Sequence, residues 1–235
     1  MTILETVIGL EVHVQLNTKS KIFSYDHNDF GNHPNSDVGA ITLAHPGTLP
    51  MVSKEVIDMG MKLGLALEGR INRNLIFDRK NYFYPDLPKG YQITQDTTPI
   101  CKGGIVKIRS DDFPHFDIEL TKIHLEEDAG KSIHVQNADF TNVDLNRSGV
   151  PLVEIVTEPV ITSSEQAGLC LIELRKLVRY LGISDGSMER GSLRCDANIS
   201  VRLPGAPLGS KVEVKNMNSI KNVRKAIDHE IERQT

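Results

Sequence analysis

The sequence has no tryptophan, few aromatic residues and no apolar run of membrane-spanning length. Cys101, Cys170 and Cys195 are an odd number of thiols at wide spacing. They offer neither a disulfide framework nor a Cys-x-x-Cys metal site, and they point to a reducing compartment. The opening residues, MTILETVIGLEVHVQL, alternate in polarity and carry Glu5, Glu11 and His13, which excludes a secretory signal. With no stretch of about 20 apolar residues, the expectation is a cytoplasmic protein without a membrane partner. An excess of positive charge is also missing. The formal net charge is −4, so contact with nucleic acid has to come from a local basic patch. Two nucleotide-binding signatures are absent as well. GxGxxG does not occur, and Gly130-Lys131-Ser132, which matches the tail of a P-loop, has Leu125 where the leading glycine belongs. Glu126, Glu127 and Asp128 lie just before that lysine and would repel a triphosphate.

What is present suits an ordinary globular domain: 235 residues, 39% hydrophobic and 25% charged. The first segment reads as a strand, with Ile8, Val12, Val14 and Leu16 on one face and Glu11, His13 and Gln15 on the other. Residues 20–50 read as loop, rich in Asn, Asp, Gly and Pro. Ser53 is expected to cap a helix from about Lys54 to Leu67. Further strands are predicted over Phe116 to Glu126 and Leu152 to Thr157, and Ser163 with Gln166 forms a capping box for a helix reaching Tyr180. SLRCDANISVRL alternates without a break. KVEVKN returns as its hairpin partner, and a last helix starts near Asn218 or Ser219. Strands gathered together with helices set aside predict an α+β fold, with a mainly antiparallel sheet flanked by helices.

Three polar constellations could carry chemistry. Glu11 and His13 share a strand face, as do His124 and Glu126 on another strand, with Glu127 and Asp128 at its end. Asp196 and Glu213 lie on the polar faces of the two strands nearest the C-terminus, among Arg194 and Lys215. If one sheet holds these strands, carboxylates from four segments meet at one surface, which suits magnesium and phosphoryl transfer. Taken singly, each is also what a water-facing strand surface displays. The third is RKNYFYPDLPKGYQIT, where Tyr82, Phe83, Tyr84 and Tyr91 interleave with Arg79, Lys80 and Lys89. Such a loop can stack on unpaired bases, or be a surface loop pinned by its own aromatics.

The segments GLEVHVQL, PGTLP, FDRKNYFYPDLPKGYQIT, HLEEDAGKS, DLNRSGVPLVEIVTEP, GSLRCDANISVR and EVKNMNS span nearly the whole chain. In this order they resemble the B subunit family of glutamyl-tRNA(Gln)/aspartyl-tRNA(Asn) amidotransferases. The resemblance implies a glutamine synthetase-like cradle domain that uses ATP and Mg2+ to phosphorylate the side-chain carboxylate of a misacylated tRNA. Ammonia then comes from an amidase A subunit, and a small C subunit completes a heterotrimer. By motif, the resemblance assigns metal binding to Glu11, His13, Glu126, Glu127 and Glu213. Glu126, Glu213 and Asp196 are the expected catalytic residues, Arg194 and Lys215 the phosphate contacts, and Tyr82, Lys80 and Lys89 the contacts to the tRNA end. Many relatives carry four zinc-binding cysteines at positions held here by Ser24, Asp26, Gly39 and Thr42, so no zinc is expected. Family chains are longer. The expectation is a truncated cradle over residues 1–235, folded but inactive alone, without the helical tRNA-binding tail. The competing class is a non-catalytic scaffold that docks tRNA or partner subunits.

Overall fold

Alternating polarity decides the layout of the computed structural model, which describes residues 4–110 and 113–235. Strand β1 (Glu5–Gln15) turns Ile8, Leu10, Val12 and Val14 into the core, all fully buried. It is followed by α1 (Lys54–Ala66), β2 (Arg70–Ile71), β3 (Asp78–Asn81), β4 (Tyr91–Thr94), β5 (Cys101–Lys102) and β6 (Ile105–Ser110). Next come β7 (Phe113–Glu127), β8 (Lys131–His134), β9 (Thr141–Asp144), β10 (Pro151–Thr157), α2 (Ser164–Tyr180), β11 (Leu193–Arg202), β12 (Val212–Met217) and α3 (Ile220–Gln234).

Eight strands make one sheet in the order β12-β11-β1-β10-β7-β5-β2, with β6 also paired to β7. Every pairing within it is antiparallel. With three helices packed beside it, the α+β expectation holds. Two hairpins, β3–β4 and β8–β9, stand outside the large sheet. The second settles the Gly130-Lys131-Ser132 question, because those residues open a hairpin rather than a helix.

The sheet is dry on one side and polar on the other. On the dry side Leu193, Cys195, Ala197 and Ile199 of β11 meet Val223 and Ile227 of α3, all essentially buried. Burying each of the two helix residues stabilises the fold by roughly 1.5–3 kcal/mol. Helix α3 starts as its sequence predicts, with the Ser219 hydroxyl accepting from the Asn222 amide. Ser163 caps α2 in the same way, but the returning arm differs: the Gln166 side-chain oxygen accepts from the Thr162 amide instead of that of Ser163. Ser53 precedes α1 in extended conformation without a side-chain cap bond. Helix α1 lies close to the sheet because Gly64 has no side chain, and a Cβ there would sit 2.7 Å from Ile71 Cδ1.

Candidate active site

The polar side of the sheet is organised in cross-strand rows, because antiparallel pairing places opposed residues on one face. One row runs Arg194, His13, Glu154, His124 across β11, β1, β10 and β7. The row toward one end contains Gln15, Leu152 and Glu126. The row on the other side contains Asp196, Glu11 and Val156. Beyond that, Asn198 pairs with both Gly9 and Glu213. A cleft of about 1130 Å³ opens over this face, lined by Glu11, His13, Glu126, Glu154, Arg194 and Asp196, among others.

The densest chemistry is at His13, Glu126 and Glu154. His13 Nε2 lies 3.6 Å from Glu126 Oε1 and 3.4 Å from Glu154 Oε2. Beside them, on β7, His124 Nε2 lies 2.9 Å from Glu154 Oε2 and 3.7 Å from Glu126 Oε2. Burial pulls the His124 imidazole down, but its close contacts with Glu126 and Glu154 and their charges outweigh that and raise it to about 9. His13 is likewise raised, with Glu154 and Glu126 overcoming the loss of water. Burial would push the Glu154 carboxyl up, yet the two imidazoles hold it well below the usual carboxylate range. Two buried carboxylates side by side thus favour positive charge at this point of the face.

His13, Glu126 and Glu154 each offer a ligand atom, and those atoms all lie within 4.8 Å of one another. One imidazole and two carboxylates, partly buried and open to a cleft, fit a divalent cation. Sequence reasoning passed over Glu154. Its signal was a lone charge inside the apolar run LVEIVT, on a strand buried over nearly its whole length.

The expected site residues divide into separate groups. Glu11 accepts from Asn198 Nδ2 at 2.9 Å and faces Asp196 across the strands. Lys215 Nζ lies 3.0 Å from Glu213 and 3.5 Å from Asp196. Glu213 is on β12, four strands from β7, a spacing of about 19 Å across a flat sheet before the offset along the strands between the Gln15 and Gly9 rows is added. Glu11, Glu126 and Glu213 therefore share a face but do not close on a single ion. Glu127 is turned away from the others. As the next residue after Glu126 it points to the opposite side of the strand, where it is 1% exposed and its carboxylate meets Lys89 Nζ at 2.7 Å. It also accepts from the Ile93 amide at 2.8 Å.

The same ion pair takes Lys89 away from the expected tRNA-end contacts, since that side chain is buried. Lys80 and Tyr82 do line the cleft. Burial and the nearby carboxylates, Glu126 first, push the Tyr82 phenol up. Phe83 and Tyr84 stand in solvent, 94% and 63% exposed, while Tyr91 is covered by Arg79 and Lys89. Arg194 bonds Asp128 at 3.0 Å, and Gln15 donates to the same carboxylate at 2.9 Å.

Ser24, Asp26, Gly39 and Thr42 also come together. The Asp26 carboxylate accepts from the Ser24 hydroxyl at 3.0 Å, from Thr42 and from the Gly39 backbone. This knot ties the loop whose residues Asn28 to Asn32 wall the cleft. Lys21 is fully buried beside it, donating to the Asp37 carbonyl at 2.7 Å. Cys101, Cys170 and Cys195 are buried free thiols. Among the described residues no helix is long and apolar enough to cross a membrane.

A profile of the GatB/GatE catalytic domain matches residues 6–235. The chain is similar to the B subunit of the aspartyl/glutamyl-tRNA(Asn/Gln) amidotransferase of Rickettsia canadensis, 51% identical over 230 residues covering 98% of this chain and 48% of that protein. The protein of the same name from Salinibacter ruber is 53% identical over 239 residues, covering 98% of this chain and 47% of the relative. That from Nitrobacter hamburgensis is 50% identical over 230 residues. The chain thus spans about half the length of the curated relatives it matches. Matched over almost all its residues and at half identity to these proteins, the chain belongs to the GatB/GatE catalytic-domain family.

Proposed function

We propose that this chain provides the phosphoryl-transfer site of a tRNA-dependent amidotransferase. The reaction is the ATP-dependent conversion of misacylated Glu-tRNA(Gln), Asp-tRNA(Asn) or both to the amide form. The observation that carries this reading is the group His13, Glu126 and Glu154 on the floor of the cleft. A carboxylate is a poor acyl donor. Transfer of the γ-phosphoryl group of ATP to the aminoacyl side chain gives an acyl phosphate and ADP. Ammonia from a glutaminase partner subunit then attacks the acyl carbon, and inorganic phosphate leaves.

Such a transfer depends mainly on positioning and charge neutralisation. His13, Glu126 and Glu154 would hold a divalent cation, Mg2+ in the cell, and that ion supplies positive charge to the phosphates when bound. Arg194 and Lys215 bring further positive charge to the same face. Lys80 and Tyr82 suit the approach of the tRNA end, one as a cation and the other as a stacking surface. The amidase A subunit, the small C subunit and misacylated tRNA are the partners this reading requires. All of them act in the cytoplasm.

The test is made in the full-length assembly. Glu154→Gln and Glu126→Gln should each lose amidation of charged tRNA by at least a factor of about 100, an oxyanion-scale electrostatic loss. Glutaminase activity and subunit assembly should persist. Undiminished amidation in both variants removes the cation site and leaves the chain a docking scaffold.

A further inference from the structure

His124 does not line the cleft and is 6% exposed, yet it touches both carboxylates that face the cleft. We propose that His124 is a positioning residue: from beside Glu154 on the same sheet face, one strand further from the cleft, its Nε2–H fixes Glu154, and through it the pair Glu154 and Glu126, in the orientation that receives the cation. This rests on the cation-site reading above and adds a residue to it.

Three observations carry the proposal. First, His124 and Glu154 are direct cross-strand partners on β7 and β10, so the 2.9 Å contact is built into the pairing register. Second, the contacts are unequal. Glu154 Oε2 is at hydrogen-bond distance, whereas Glu126 Oε2, at 3.7 Å, is beyond it and is reached instead by the Thr94 hydroxyl at 3.4 Å. The imidazole therefore donates to one carboxylate and lends only proximity to the other. Third, His124 Nδ1 is buried and has no hydrogen-bond partner among the described residues. An unmet buried polar atom is costly, so the burial of that nitrogen is not explained by its own hydrogen bonding. What the ring does supply is a directed donor to a carboxylate whose other contact, His13 Nε2 at 3.4 Å, is itself a candidate ligand. Outer-shell donors of this kind set the geometry, and hence the affinity, of metal ligands.

The experiment uses Mn2+ as a paramagnetic probe, titrated into the chain and followed by EPR, with no nucleotide or tRNA present. Gln, Asn and Leu are placed at His124. The Gln amide nitrogen reaches the position of Nε2, the Asn amide nitrogen only that of Nδ1, and Leu offers no donor. His124→Leu and His124→Asn should bind Mn2+ about 10- to 100-fold more weakly, and His124→Gln should recover most of the affinity. Should the Leu variant fail to fold, the Gln and Asn variants decide, since both are amides. Equal affinity in those two overturns the positioning role. Glu154→Gln separates the two readings. If it binds Mn2+ like the native chain, the cation site itself falls. If it loses Mn2+ while His124→Asn keeps native affinity, only the role of His124 falls.

Discussion

Replacing Lys89 with Met distinguishes a residue that grips a substrate from one that holds the fold together. Lys89 Nζ and Glu127 Oε2 are 2.7 Å apart, with side chains only 7% and 2% exposed. Removing one partner of a buried pair strands the other charge, at a cost of about 3–5 kcal/mol. Here Glu127 keeps the Ile93 amide at 2.8 Å, so the lower end of that range applies. For a domain of this size each kcal/mol moves the melting temperature by about 2–4 °C, so Lys89→Met should melt at least roughly 6 °C lower. The loss should also depend on pH. Burial already holds the Glu127 carboxyl above its ordinary value, and removing the neighbouring cation raises it further. The folded variant then binds a proton that the unfolded chain has released, so the deficit shrinks as pH falls from 8 toward 5. Lys89→Met/Glu127→Leu, which removes both charges, should regain most of the stability. Thermal unfolding followed by circular dichroism reads all three. Exposed Lys80 is the control: Lys80→Met should leave stability within about 0.5 kcal/mol and raise KM for charged tRNA in the full assembly. A Lys89→Met chain with native stability would refute the buried-pair argument and return Lys89 to the substrate surface.

Two further outcomes concern pH and packing. In EDTA, the stability that His124 contributes should be complete below about pH 6.5 and be lost as pH rises toward 9, because the folded chain alone keeps that proton. His124→Gln should flatten this fall in urea midpoints measured between those values. Lys21 works the other way. Burial lowers it to about 8 against the pull of Asp26 and Asp37, so its contribution improves as pH rises from 8 toward its ordinary 10.5, and Lys21→Met should remove that rise. A Cβ on Gly39 would lie 2.2 Å from Asp26 Oδ1, so Gly39→Ala should cost about 1–3 kcal/mol by overpacking the knot. Limited proteolysis should then cut within residues 20–50 before any other segment.

The parts of the site that the sequence made legible were those with an unbroken period of two. In GLEVHVQL and SLRCDANISVR, alternate side chains separate into a buried and a polar set, and both the strands and their facing residues follow. Glu126 and Glu127 show how the same rule corrects an over-generous motif. Adjacent residues on a strand face opposite ways, so both could not serve one ion, and Glu127 went to Lys89 instead. Glu154 was hidden because β10 carries Leu152 and Val156 on the same face as Glu154, so its apolar run shows no alternation. The β3–β4 hairpin replaces the loop expected over RKNYFYPDLPKGYQIT. Its strands are four residues each, too short for periodicity to register, and the loop between them carries the prolines. Pairing over long distances was beyond any local pattern. Nothing near His13 in sequence announces that Glu154 lies beside it.

That distance has a consequence for how the protein comes into being. Strand β1 occupies the middle of the sheet, yet it is bonded to segments 147 and 187 residues further along. A ribosome therefore releases this strand well before either neighbour exists, leaving its backbone edges without mates until those segments emerge. Closing such long loops is slow, and a bare strand edge meanwhile invites pairing with other nascent chains. Since His13 arrives with that strand, the cluster that defines the cleft assembles only once the sheet's centre is filled, making an intact site a report on completed folding.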